Sequence, residues 1–475
     1  MLYINGNWQS SAENETFAVT NPATVETMEY VAKGNEVDAN QAIEAASEAF
    51  PAWKHTPAKE RGRYLVLAAA YLRERIDDLA HTITAEMGKP LAESKGEINL
   101  ALDYMEWFAE EAKRVYGESI PASVPNKQLM VKKSPIGVVG AVTPWNFPVA
   151  MITRKLAPAL AAGCPVVIKP ASATPLSAMK VFEALDQVGL PAGVANLVSG
   201  SASKVVGEMT RHPDVKKLTF TGSTDVGKKL IRDSADTVKQ VSMELGGHAP
   251  FIVFDDADID KAVDGAVASK FRNAGQTCIC TNRLYVQEGV ADEFAKKFAK
   301  KVSELKVGAG IETGVAIGPL IDEGALEKVE EHIEDAKAKG GQTLTGGTRQ
   351  QPNGLGGYFY EPTVIHNATD DMLIASEETF GPVAPIFTFE TKEEAVKRAN
   401  HPEYGLASYC YTNDLSQAFY VAEELEYGIV GINDPIPTTA QAPFGGVKES
   451  GVGREGGHQG IEEYVEDKFV SFQLN

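Results

Sequence analysis

From about Glu36 to Lys113, apolar residues recur at three- and four-residue spacing, most clearly in the Arg61–Arg75 run. That period predicts amphipathic helices, ending in the Trp-Phe-Ala-Glu-Glu-Ala-Lys-Arg stretch around Trp107. Ahead of them, Tyr3–Trp8 reads as a hairpin turned at Asn5-Gly6. From Ile136 the pattern changes to short, wholly apolar runs bounded by Gly and Pro. Val138–Val142, Val166–Ile168, Ala195–Val198 and Lys217–Thr221 read as buried strands. Between them, helices are predicted from near Pro175, after Ser201 and from near Thr224. Such alternation indicates βαβ units and a parallel sheet. A second alternation runs from Phe251-Ile252-Val253-Phe254 to about Asn433, and Tyr464–Phe472 again has strand character. Two α/β domains joined through Glu244–Gly247 are the expected outline.

The length supports this division, since 475 residues exceed what one hydrophobic core normally holds. A formal net charge of −20 argues against nucleic acid or an anionic membrane as partner. An anionic substrate would then need a local cluster of Arg or Lys. The four cysteines, Cys164, Cys278, Cys280 and Cys410, form neither a disulfide framework nor a zinc pattern, so no metal is expected. The opening MLYINGNWQ has no leader pattern, and no stretch approaches the roughly 20 apolar residues of a membrane span. A cytoplasmic, reducing setting is expected.

Four short motifs carry candidate chemistry. Cys278 follows Gly275, Gln276 and Thr277, whose small or polar side chains leave backbone donors near the sulfur. The flanks fit a thiolate nucleophile and a structural thiol about equally. Glu244 ends an apolar strand and precedes Gly246-Gly247; it is either a paired structural acid or a general base whose pKa burial raises. Asn146 sits between Pro144 and Pro148, as a structural turn residue or as a fixed oxyanion donor. Gly222-Ser223, between a strand and a helix, lies where a phosphate would meet helix amides, although the full G-x-G-x-x-G pattern is lacking.

In order along the chain, these motifs resemble the aldehyde dehydrogenase superfamily. So do Asn21-Pro22-Ala23-Thr24, Lys169-Pro170-Ala171, Glu377-Glu378-Thr379-Phe380-Gly381-Pro382, Pro443-Phe444-Gly445-Gly446 and Lys448-Glu449-Ser450-Gly451. The resemblance covers nearly the whole chain. It implies a Rossmann-type dinucleotide-binding domain (1–118 and 140–243), a second α/β catalytic domain (244–440), and an oligomerisation arm with the C-terminal segment (119–139 and 441–475). Ser119–Lys133 and the last strand would extend a neighbour's sheet in a homodimer or homotetramer. It further implies that Cys278 attacks the aldehyde, that Asn146 and the Cys278 amide hold the oxyanion, and that Glu244 activates the water that releases the acid. Trp145, Lys169, Gly222, Ser223, Leu245, Glu378 and Phe380 would bind the nicotinamide cofactor.

Within the superfamily the chain resembles succinate-semialdehyde dehydrogenases, for which breakdown of 4-aminobutyrate is the usual context. Arg154 and Arg272 stand where many relatives have apolar side chains, and two guanidinium groups suit a carboxylate at the substrate's far end. A helix-surface cation is the alternative reading of Arg154. Thr438 takes the place of a usual serine, and Phe147 and Phe444 would complete the pocket. Other ω-semialdehyde acids, of glutarate or 2-oxoglutarate, fit the same arginines. A non-catalytic member is disfavoured by Cys278, Glu244 and Asn146 together, and a CoA-acylating one by Glu244. Ser172 stands where NAD-specific relatives often carry Glu, so NADP should be accepted alongside NAD or in preference to it. Cys280, one residue beyond Cys278, is a candidate redox partner or a plain core thiol.

Overall fold

Residues 1–474 are described by a computed structural model. The chain opens with two hairpins, β1 (Leu2–Ile4) with β2 (Asn7–Gln9) and β3 (Thr16–Thr20) with β4 (Thr27–Ala32). Asn5 and Gly6 turn the first with φ of 51° and 74°, a conformation that favours these two residue types. Four helices follow: α1 (Glu36–Trp53), α2 (Ala58–Glu74), α3 (Ile76–Met87) and α4 (Leu91–Glu111). Asn35 starts α1 with a capping box in which its side chain and that of Asp38 are each bonded to the other's backbone amide. A ribbon, β5 (Glu118–Ile120) and β6 (Lys127–Pro135), then leaves the body of the protein.

The first large sheet is built from β7 (Val138–Val142), β8 (Val166–Lys169), β9 (Ala195–Leu197), β10 (Val215–Thr221) and β11 (Gln240–Glu244), linked by α5 (Ala150–Ala162), α6 (Pro175–Gln187), α7 (Ala202–Arg211) and α8 (Thr224–Ser234). These strands are parallel and lie in the order β9-β8-β7-β10-β11. Helices cover both faces, which is why β7 and β8 are buried along their whole length and read as continuous apolar runs. The chain runs outward from β7 in one direction and returns to begin again at β10 on the other side. That reversal opens a crevice at the carboxyl ends of β7 and β10, the position where open α/β sheets bind ligands.

The second sheet contains β12 (Ala249–Val253), β13 (Thr281–Gln287), β14 (Gln342–Thr345), β17 (Thr363–His366), β18 (Val383–Phe389), β19 (Ala407–Tyr411) and β20 (Ile429–Ile432), in the order β14-β17-β18-β13-β12-β19-β20. A small ribbon, β15 (Arg349–Gln350) with β16 (Phe359–Tyr360), lies apart from it. Helices α9 (Ile259–Phe271), α10 (Glu288–Ser303) and α11 (Glu323–Ala338) pack on this second unit. Within 441–475 the chain does two things. Its first part returns to the body, where β21 (Gly451–Val452) pairs antiparallel with β11. Only β22 (Val465–Gln473) joins the ribbon, pairing with β6 along nine residues. No helix among the described residues is long and apolar enough to cross a membrane.

Candidate active site

The crevice at the ends of β7 and β10 is a cleft of about 230 Å³ lined by Pro144, Trp145, Asn146, Thr221, Gly222, Ser223, Leu245, Gly246, Cys278, Glu378 and Phe380. They arrive from several strand ends. Trp145 and Asn146 follow β7, Gly222 and Ser223 follow β10, Leu245 follows β11, and Cys278 precedes β13. Trp145 and Phe380 meet edge to face with ring centroids 5.6 Å apart, forming an aromatic wall. Ser223 stands at the N-terminus of α8, and its hydroxyl makes no capping bond there.

The Asn146 amide is buried and donates from Nδ2 to the Gln276 carbonyl at 3.1 Å. The turn that carries Asn146 is thereby tied to the loop that carries Cys278, leaving the second Nδ2 hydrogen for a ligand. Cys278 is part-exposed on the cleft. Burial of its sulfur pushes the thiol up to about 12; nearby Arg154 counteracts this, while Glu378 and Glu244 add to it. All four cysteines are free. Cys280 is turned into the core, where its Sγ donates to the Gly275 carbonyl at 3.1 Å and lies 3.9 Å from Lys270 Nζ.

Glu244 ends β11, buried behind the cleft, with Oε2 lacking any hydrogen-bond partner among the described residues. Burial and the charge of Glu455 raise its carboxyl well above the usual range. It lines neither cavity next to Cys278, although each group feels the charge of the other. A Cβ on Gly445 would come within 2.8 Å of Glu244 Oε1, so glycine in the Pro-Phe-Gly-Gly segment leaves space for the carboxylate.

On the far side of Cys278 lies a narrow pocket with about 20 Å³ of free space, lined by Phe147, Met151, Arg154, Arg272, Thr438 and Phe444, among others. The two arginines differ in a way the sequence does not show. Arg154 is ion-paired within the protein. Its Nε donates to Glu455 Oε2 at 2.7 Å, a second guanidinium nitrogen reaches the same oxygen, and Lys155 takes the other. Burial would raise the Glu455 carboxyl, but Arg154 and Lys155 outweigh it and hold it well below the usual range. The Arg154 guanidinium also lies 4.0 Å from the centre of the Phe444 ring. Arg272, half-buried, forms no salt bridge among the described residues and rests 4.9 Å from the centre of Phe147. The Thr438 hydroxyl is buried without a partner among the described residues.

Lys169 and Ser172 do not line the cleft that gathers the other residues. Lys169 ends β8 beside Val142 of β7, buried and without a charge partner among the described residues, and burial pulls its ammonium down to about 8. Ser172 is exposed three residues on. Near this edge a cavity of about 580 Å³ opens between α7 and α8, with apolar walls from Val142, Val206, Phe220 and Leu230. Sequence reading missed this cavity, because no single motif marks a space between two helix faces. It also missed Glu455 and Lys155, which pair across 300 positions. Among the described residues no group of three or more His, Cys, Asp or Glu is placed to hold a metal ion.

The aldehyde dehydrogenase family matches residues 8–470, and the chain belongs to that family. It is 54% identical over 468 residues to the 3-sulfolactaldehyde dehydrogenase of Pseudomonas putida, covering 98% of this chain and 96% of that protein. It is 53% identical to the glutarate-semialdehyde dehydrogenase of Pseudomonas putida strain KT2440, covering 99% and 97% of the two chains. It is also 53% identical to the succinate-semialdehyde dehydrogenase (NADP(+)) of Escherichia coli strain K12, again covering 99% and 97%.

Proposed function

We propose that this protein oxidises a short aldehyde with an anionic far end, with succinate semialdehyde as its substrate and NADP or NAD as cofactor. The observation that carries the reading is the unpaired Arg272 guanidinium and the unpartnered Thr438 hydroxyl, both facing the narrow pocket that ends at Cys278. A neutral aldehyde would leave both groups desolvated without compensation, whereas a carboxylate satisfies both. The three relatives differ in the substrate they are named for, at nearly equal identity. Overall similarity therefore does not choose among them, but each of those aldehydes carries an acid group.

The residues of the cleft fit a nicotinamide dinucleotide. Lys169 is a buried amine without a partner, Ser223 offers a free hydroxyl at a helix N-terminus, and the cavity between α7 and α8 suits a flat apolar base. Trp145, Phe380 and Cys278 would hold a nicotinamide, which would supply the hydride acceptor. The chain's own groups do the rest. Cys278 gives up its thiol proton to solvent as its Sγ bonds to the aldehyde carbon and the carbonyl π pair moves to oxygen; the free Nδ2 hydrogen of Asn146 with the Cys278 amide stabilises that anion, which collapses to the thioester as the carbon loses its hydride to the acceptor. Once the thioester has formed, Glu244 takes a proton from the attacking water, and the acid leaves as the C–S bond breaks. A carboxyl raised by burial is a stronger base for this step. Glu244→Gln should therefore slow steady turnover by about 10²–10⁴-fold while leaving a burst of up to one reduced cofactor per site. Loss of the burst together with turnover would remove Glu244 from the role of base.

The substrate reading is tested with semialdehydes of increasing chain length, each assayed with NAD and NADP. The highest kcat/KM is expected for succinate semialdehyde, with glutarate semialdehyde next. Ser172 sets no carboxylate against a 2′-phosphate, so NADP should support turnover at least as well as NAD. A strong NAD preference, or equal rates with uncharged aldehydes, overturns the reading. For assembly, the three-stranded ribbon of β5, β6 and β22 carries exposed Ile120, Phe469 and Phe472, and β20 is a free edge of the second sheet. A homodimer or homotetramer built by adding the ribbon to a neighbour's sheet covers both. A reducing cytoplasmic setting fits four free thiols.

A further inference from the structure

The turn that holds Asn146 is fastened from below by charges that the reaction does not use. Lys89 Nζ donates to the Asn146 carbonyl at 2.7 Å and to Glu97 Oε2 at 2.6 Å. Both side chains of this pair have no exposed surface. The second oxygen of Glu97 accepts from Val149 N at 2.8 Å and Ala150 N at 3.2 Å, at the start of α5. The pair thus grips the chain on both sides of Phe147, and the ammonium lies 3.8 Å from the centre of that ring.

One turn earlier on α4, Glu93 faces the same way. Its Oε2 accepts from Asn273 N at 2.7 Å. Asn273 is held in the left-handed region at φ 53°, and its Nδ2 donates to both the Asn146 carbonyl and the Gln276 carbonyl at 3.1 Å. The first two turns of α4 therefore reach both halves of the site, the Asn146 turn and the Cys278 loop. Burying an ion pair this deeply gains little stability over an apolar pair of similar size, so its contribution is sought in geometry.

We propose that Lys89 and Glu97 are positioning residues for the oxyanion: their buried pair fixes the Asn146 turn at its working distance from the Cys278 loop. This rests on the roles of Cys278 and Asn146 given above. Displacement of a catalytic amide by about 1 Å costs on the order of 100-fold in rate. The test is a double-mutant cycle read in the burst phase of cofactor reduction. Lys89→Met should slow the burst by about ten- to a hundredfold. Cofactor Kd and the rate of Cys278 alkylation by iodoacetamide should stay at wild-type values, since alkylation builds no oxyanion. Placed on Asn146→Ala, Lys89→Met should cost nothing further, because the group it positions is already gone. Lys89→Met/Glu97→Leu removes the unpaired acid, at the cost of the acceptor for the Val149 and Ala150 amides, and once a thermal melt shows it folded its burst should be as slow as that of Lys89→Met.

Multiplicative losses in the cycle, or a wild-type burst in the apolar double variant, overturn the proposal. A change in alkylation matching the change in burst also overturns it, by showing general damage to the Cys278 loop. Should Asn146→Ala itself keep the wild-type burst, the oxyanion role of Asn146 falls, and this inference falls with it; the cycle separates that outcome from the others.

Discussion

Cys278→Ala protein should reduce cofactor about 10⁴- to 10⁶-fold more slowly than wild type with succinate semialdehyde, the scale of losing a covalent nucleophile. The sulfur is the only atom removed, and among the described residues it makes no hydrogen bond to protein, so stability should change little. Cofactor binding should persist, because the aromatic wall of Trp145 and Phe380 is untouched. Cys280→Ala is the matched control. Its thiol is buried and donates to Gly275, so its loss should cost stability while most of the turnover remains. Rates measured over the first turnover check both expectations. Loss of turnover in Cys280→Ala with survival in Cys278→Ala would exchange the two roles.

Arg272→Leu should lower kcat/KM for succinate semialdehyde by about 2–5 kcal/mol, or roughly 30- to 5,000-fold, as expected for removing the unpaired partner of a carboxylate. Its thermal midpoint should stay close to wild type, since no internal ion pair is broken. Oxidation of butanal, which has no carboxylate, should be unchanged or improved. Arg154→Leu should behave differently. It strips Glu455 of a buried partner, leaving only Lys155, so a loss of stability of up to about 3–5 kcal/mol accompanies any loss of rate. Paired measurements of kcat/KM and thermal midpoint on the two variants separate a substrate anchor from an internal ion pair. Equal behaviour of the two would show that the carboxylate is shared between them.

These arginines also mark how far the sequence could be read. The parallel strands were legible because burial on both faces leaves runs such as Val138–Val142 without polar alternation. The order of motifs along the chain led to Cys278, Glu244 and Asn146, and the structure draws Cys278 and Asn146 into one cleft with Glu244 behind it. The state of each charge was not legible. Arg154 and Arg272 look equivalent as letters, yet Glu455 pairs with one of them from 301 positions away. Likewise nothing in the sequence marks Lys89 and Glu97, eight residues apart, as a pair that the fold buries beneath Asn146. The 441–475 segment shows the same limit. Its strand pattern marks β22, but only the tertiary fold reveals that the stretch before it returns to place Phe444 and Glu455 beside Arg154.

Capture of the aldehyde by one sulfur is open to direct observation. Glu244→Gln enzyme, mixed with succinate semialdehyde and NADP, quenched in acid during the burst and digested for mass spectrometry, should carry a succinyl group on the peptide containing Cys278, in proportion to the cofactor reduced. Reduced cofactor in full amount with Cys278 unmodified at every quench time would contradict it.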